Sequence, residues 1–133
     1  MNENAVNLLL IGVGGGGCRF ASAAAMRFGP GIQAIGFDTD AVTSRSIGGM
    51  RCMLIGATRY DGCGTGGDAV KGHTAATDDA ETIRNAVRNA RIAVVVTALG
   101  GGVGTGATPQ ILAILRSLGI VSLCVASISS QSV

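Results

Sequence analysis

Residues 100–106 read Gly-Gly-Gly-Val-Gly-Thr-Gly, five glycines in seven positions. Glycine loses more conformational entropy on ordering than any other residue, so such a run is not there to stabilise a helix or strand. Its chemistry is that of the bare main chain: amides with no Cβ in the way can close around an anion. Two more segments share this character, Gly12-Val13-Gly14-Gly15-Gly16-Gly17 and Gly62-Cys63-Gly64-Thr65-Gly66-Gly67-Asp68. A pair of acids, Asp38 and Asp40, flanks Thr39. The plain alternative for 100–106 is a flexible turn. Seven residues exceed what a turn needs, and phosphate binding is the better reading.

The elements that must position these segments follow from hydrophobic patterning. The continuous apolar stretch Ile92 to Leu99 is β-branched and reads as a buried strand. After the glycines, Ile111, Ile114, Leu115 and Leu118 recur at helical spacing, predicting a helix over Ala107–Leu118. Pro109 is expected in its first turn and Gly119 at its end. The same alternation runs through the chain: strands at Val6–Val13, Ile32–Phe37, Arg51–Ile55 and Ile120–Val125, and helices at Arg19–Phe28, Ala41–Ile47 and Ala75–Ala90. Thr74 and Thr77 are candidate caps of the last of these. Asp78, Asp79 and Glu81 in its first turns and Arg84, Arg88 and Arg91 toward its end suit the helix dipole. The expected fold is α/β, a doubly wound parallel Rossmann-like sheet of about five strands in the order 3-2-1-4-5, three-layered α/β/α. One domain spans 1–126, with a frayed tail over 127–133. In such a sheet the loops at the carboxyl ends of the strands open on one side. Three glycine-rich segments converging there imply several phosphates, hence a di- or triphosphate nucleotide.

Composition narrows the classes. With 133 residues the chain can bury one core. That core must be aliphatic, since 47% of residues are hydrophobic but only 3% aromatic. A net charge of +2, with Lys71 the sole lysine, gives no footprint for nucleic acid. No apolar run approaches the roughly 20 residues of a membrane span, and no basic residue precedes Arg19 as a signal peptide would require. Cys18, Cys52, Cys63 and Cys124 are scattered, with no paired spacing, so no metal site is expected from side chains and a cytoplasmic setting is. His73 reads as a solvated or loop-packing residue. Arg84, Arg88 and Arg91 read as a solvated helix end.

Two readings compete for the nucleotide. Gly12, Gly14 and Gly17 satisfy GxGxxG, and Asp38 follows about 20 residues later, as in a dinucleotide (NAD-type) fold. One pyrophosphate, however, leaves the Gly100 and Gly62 segments without a task. The full set, Gly12–Gly17, Asp38-Thr39-Asp40, Gly62–Ala76 and Ala98–Gly106, instead resembles the tubulin/FtsZ family, its FtsZ branch most closely. The resemblance covers the chain, but only the first part of that family's nucleotide-binding domain. It implies GTP or GDP as ligand. Gly14, Gly15, Gly16 and Gly17, with Gly100, Gly101, Gly102, Val103, Gly104, Thr105 and Gly106, would hold the α- and β-phosphates. Gly64, Thr65, Gly66, Gly67 and Asp68 would sense the γ-phosphate, with Asp40 near it and its magnesium.

The departures from the family carry expectations of their own. Cys18 and Arg19 stand where FtsZ carries asparagine, removing an amide that contacts guanine; Arg19 could equally stack on the base, reach a phosphate or do neither. Asp38 replaces asparagine, Asp68-Ala69 replaces Asn-Pro, Val103 replaces a threonine, and Ile128-Ser129-Ser130 replaces Arg-Pro-Phe. The bland alternatives are that Asp38 and Asp40 cap a short helix and that Thr65 and Asp68 shape turns. The resemblance also implies that the family's ribose-binding residues, central helix, C-terminal domain and acidic catalytic loop lie outside these residues. Phosphate binding is then retained, while hydrolysis is weak or absent unless that loop comes in trans. The strand Ile120–Val125 would form an apolar edge, implying self-association or docking onto an FtsZ-like partner. A third reading is an interaction module that has lost its nucleotide.

Overall fold

The computed structural model describes residues 6–128. Five strands, β1 (Val6–Val13), β2 (Gln33–Asp38), β3 (Arg51–Leu54), β4 (Ala90–Leu99) and β5 (Val121–Ile128), form one sheet. Its order is β3-β2-β1-β4-β5, parallel throughout, as expected from the alternation of strands and helices. The helices are α1 (Gly14–Phe28), α2 (Ala41–Ser46), α3 (Ala57–Tyr60), α4 (Ala69–Asp78), α5 (Ala80–Val87) and α6 (Gly102–Ser117).

Alternate residues of each strand face opposite layers. One face buries Leu9, Ile11, Val13, Ile35, Phe37, Ala93 and Val95 beneath α4, α5 and α6, which contribute Ala75, Ile83, Val87, Ile111 and Leu115. The opposite face is thinner. There Leu10 and Val96 pack with Ala21 of α1, joined by Ala24, Ala34 and Val94. Past the reach of α1 the same face is open: Ile92, Val121, Leu123 and Val125 are 47%, 68%, 61% and 47% exposed.

Several boundaries differ from the sequence reading, for reasons of packing. The glycine runs after β1 and β4 are not loops before their helices. They are the first turns of α1 and α6, which begin at Gly14 and Gly102 rather than Arg19 and Ala107. A Cβ on Gly17 would collide with the Val96 carbonyl and one on Gly104 with that of Ala98, so glycine lets both helices start against the sheet. Pro109 consequently lies inside α6, not in its first turn. Its ring leaves the Thr105 carbonyl without the usual helical donor. The helix expected over Ala75–Ala90 is two helices, α4 and α5, broken at Asp79. The Asp79 carboxylate accepts from the Gly56 amide, and the Thr74 and Thr77 hydroxyls donate to carbonyls one turn back instead of capping. Between β3 and Ala75 the chain is also partly helical, through α3 and the start of α4. Residues 127 and 128 of the expected tail belong to β5; 129–133 lie outside the described residues.

Candidate functional site

At the carboxyl edge of the sheet a cleft of about 420 Å³ opens between the starts of α1 and α6. That is within the range of roughly 300–1,000 Å³ usual for small-molecule sites. Its floor is main chain: Gly14, Gly15 and Gly16 from α1, and Gly101, Gly102, Val103 and Gly104 from the turn into α6. The two segments touch, for a Cβ on Gly14 would stand 3.2 Å from the Gly104 nitrogen. Neither helix has a side-chain cap. The N-cap residues are Val13 and Gly101, and among the described residues no side chain accepts from the first-turn amides of either helix. Each N-terminus carries the equivalent of about half a positive charge, so two of them face one space with their first-turn amides not capped by a side chain.

The Gly62–Asp68 segment closes the cleft through its contacts with Thr39, Asp40 and the start of α2. Asp40 and Cys63 form an antiparallel bridge, the Ala41 amide donates to Gly62 O at 2.9 Å, and the Gly64 amide donates to Thr39 O at 3.2 Å. Gly64, Thr65 and Gly66 thereby line the cleft opposite α1. Three segments far apart in sequence do meet at one point.

The acids are largely engaged. Asp40 Oδ1 accepts from Val42 N at 2.9 Å and Thr43 N at 3.1 Å, capping α2. Asp68 Oδ1 accepts from Val70 N at 2.9 Å and caps α4; its side chain does not line the cleft. Asp38 lines the cleft, is only 4% exposed, and holds the Thr39 amide at 2.8 Å. Burial pushes its carboxyl above the usual range, partly offset by the amides of Thr39 and Asp40. Arg19 is the cation at the cleft, its guanidinium close over Gly15.

Other residues singled out from the sequence fall behind the site. Gly17 and Cys18 turn toward the sheet, and the Cys18 thiol donates to the Gly12 and Phe37 carbonyls at 3.5 and 3.7 Å. Gly106 packs on α4, where a Cβ would collide with the Ala69 carbonyl. Thr105 Oγ1 accepts from the Gly100 amide at 3.0 Å, shaping the turn from within. Gly67 stands outside the lining residues. His73 lies in α4, not a loop, with its ring against the Gln110 amide at 3.2 Å.

The sequence reading missed Thr39 as a site residue. It lines the cleft, is 1% exposed, and its Oγ1 has no hydrogen-bond partner among the described residues. Its place between two acids was the available signal. Thr43 and Ala98 also line the cleft, placed there by α2 and the end of β4. Among the described residues no cluster of His, Cys, Asp or Glu could cage a metal ion, and no helix is long and apolar enough to cross a membrane.

A parallel sheet with this strand order, and two uncapped helix starts sharing one cleft at its carboxyl edge, define a doubly wound α/β domain of nucleotide-binding type. Residues 7–133 match the family model described as Tubulin/FtsZ family, GTPase domain, and the chain belongs to that family. It is 33% identical over 126 residues to the cell division protein FtsZ of Neisseria meningitidis and 31% identical over 125 residues to that of Buchnera aphidicola. These alignments cover 92% and 94% of the chain, which spans about a third (32%) of each relative's length. Among solved structures it is similar to an FtsZ dimer of M. jannaschii, with a TM-score of 0.86, 28% identity, and 91% of this chain and 35% of that one covered. It is also similar to CetZ2 of Haloferax volcanii, solved as a GTPγS-bound protofilament, with a TM-score of 0.80, 27% identity, and 90% and 39% covered. That match spans all three glycine segments.

Proposed function

We propose that the cleft binds GTP or GDP through its polyphosphate, with the first-turn amides of α1 and α6 as the principal donors. The observation that carries this is the pair of uncapped helix N-termini facing one space in a chain of the Tubulin/FtsZ GTPase-domain family. Arg19 adds positive charge at one side, and the Thr39 hydroxyl is a free buried donor at the other. Magnesium accompanying the nucleotide would be held chiefly by the phosphates, because Asp40 already serves two backbone amides. For the same reason hydrolysis by these residues alone is weak. Asp38, Asp40 and Asp68 each commit Oδ1 to a backbone amide as turn or cap formers, which leaves only their second oxygens to orient an attacking water. An acidic group supplied in trans would complete the reaction.

The test is to denature the purified protein and identify the nucleotide released, alongside titration of the emptied protein with GDP. Guanine nucleotide is expected. Release of NAD, or no binding of GDP at millimolar concentration, would overturn the assignment.

The role that fits is a cytoskeletal or cell-division one, exercised through self-association. Supporting this, among the described residues β5 ends the sheet with an unpaired edge, and its apolar residues Val121, Leu123 and Val125 lie open beside Ile92. A second copy of the chain is the proposed occupant. Size-exclusion chromatography with light scattering should give a mass that rises with concentration, and Leu123→Glu should return the monomer. A monomer at every concentration would refute the proposal.

A further inference from the structure

On the thinner face of the sheet, two thiols that sequence spacing leaves unrelated are brought together. Cys18 of α1 and Cys52 of β3 have their sulfurs 3.7 Å apart, although 34 residues separate them. The contact is made across β2, and glycine makes room for it. Gly36 is the register partner of both Gly12 and Cys52, so a line of Gly12, Gly36 and Cys52 runs across three strands. A Cβ on Gly36 would stand 2.7 Å from the Cys18 sulfur and 3.1 Å from that of Cys52, and one on Gly12 would meet the Cys18 Cα at 2.7 Å. No side chain separates the two sulfurs.

The two thiols differ in environment. Cys18 is fully buried and faces two backbone carbonyls. Cys52 is half-buried and borders a groove of about 310 Å³, lined by Ala41, Ser44, Arg45 and Leu54, that is wide enough to admit a small oxidant. Cys52 is also the thiol that ionises: the hydrogen bond to Cys18 brings it down to about 7, while that contact and burial hold Cys18 protonated. An accessible thiolate backed by a resolving thiol is the arrangement on which reversible thiol oxidation rests.

We infer that Cys18 and Cys52 form a peroxide-sensitive dithiol whose disulfide fastens the start of α1 to the edge strand β3. The Cys52 thiolate attacks a peroxide oxygen, the O–O bond breaks, and Cys52 becomes a sulfenic acid; the departing hydroxide takes up the proton the thiol released on ionising and leaves as the first water. The Cys18 sulfur then attacks the Cys52 sulfur. Its proton and the departing hydroxide leave as the second water, so two thiols and one hydrogen peroxide give one disulfide and two waters. The sulfurs must close from 3.7 Å to about 2.05 Å. A four-residue strand at the edge of the sheet can shift that far. Cys18 follows Gly17 directly in the first turns of α1, so the bond also stiffens the floor of the cleft. A consequence for bound GDP rests on the nucleotide assignment above; the dithiol itself does not.

The experiment treats the full chain with hydrogen peroxide at low protein concentration and maps its peptides without reduction. A Cys18–Cys52 linked peptide is expected, reversed by dithiothreitol, with a rise in Tm of several degrees. In Cys18→Ser, a sulfenic acid at Cys52 should be trapped by dimedone, and in Cys52→Ser no intramolecular disulfide should form. Oxidation confined to the exposed Cys63 and Cys124, with Cys18 and Cys52 still free thiols, would overturn the proposal. GDP release is then compared for the oxidised and reduced chain, with slower release expected on oxidation. An unchanged rate overturns the effect on the cleft. Failure of both forms to bind GDP overturns the nucleotide assignment, and the peptide map still decides the dithiol.

Discussion

Four of the helices that begin at the carboxyl edge of the sheet have first turns of two kinds. In α2 and α4 the chain supplies its own anion: Asp40 and Asp68 sit at the N-cap and accept from the amides behind them. In α1 and α6 the corresponding places hold Val13 and Gly101, the next residues are glycine, and no side chain reaches the amides. A carboxylate cap contributes about 1 kcal/mol relative to an apolar residue and a few tenths relative to glycine. The uncapped pair therefore gives up stability at the one place where two helix dipoles converge. The lesson is that a cap and a ligand site are the same chemistry, distinguished by whether the anion comes from the chain or from outside.

The largest effect should come from closing the uncapped pair sterically. In Gly102→Val the new Cβ collides with Thr65 Oγ1 and stands 2.7 Å from the Asp68 carbonyl oxygen. The variant should lose about 3 kcal/mol of stability, and GDP affinity should fall on the order of 100-fold. Thermal melts and calorimetric titration measure the two. Unchanged affinity in a folded variant would remove residues 100–106 from the site.

Converting one kind of helix start into the other is a subtler change. Gly101 has φ −84° and nothing within 4 Å of the point where a Cβ would stand, so Gly101→Asp can place a carboxylate at the α6 N-cap. Stability should rise by about 0.5 kcal/mol while GDP binding weakens roughly tenfold, because the carboxylate occupies the anion's place. Asp68→Ala should do the reverse, lowering stability by about 1 kcal/mol with a smaller change in affinity. Should Asp68→Ala abolish binding and Gly101→Asp leave it intact, the distinction between the two pairs fails.

The smallest effect concerns Asp38, whose carboxyl is raised by burial. Its folded pKa lies above the unfolded value, so its contribution to stability is most favourable in acid and is lost as pH rises through the folded pKa. Asp38→Asn should remove that slope and leave a modest gain at neutral pH, measured by urea unfolding at pH 4 and pH 7. It should also tighten GDP slightly, since a negative charge leaves the phosphate cleft. A variant less stable than the parent at pH 7 would show that the Asp38 carboxylate is needed in its charged form.

Much of this architecture was legible in advance. The apolar runs ending at Val13 and Leu99, each followed by glycines, mark parallel strands entering helices, and the strand order follows. The helix starts were not legible, because glycine reads as a breaker in any local scale. That α1 begins at Gly14 depends on Gly17 lying against Val96, a residue far along the chain. The single helix expected over Ala75–Ala90 failed similarly. Its periodicity continues through Asp79, but the Asp79 carboxylate turns to Gly56 and the helix breaks there. By resemblance Cys18 stands where FtsZ carries an asparagine at the nucleotide, yet a helical turn carries its side chain to the sheet.

By itself the sequence determined the class of fold, the family, and the meeting of three glycine segments at one sheet edge. Alternating apolar runs and parallel crossovers allow few other arrangements, and glycine is needed wherever main chain must be bared. Tertiary structure alone decided which glycines begin helices, that Asp79 turns to Gly56, and that Cys18 lies against Cys52. Those outcomes depend on distances between elements, set when the sheet and helices pack, and no local pattern of residues encodes them.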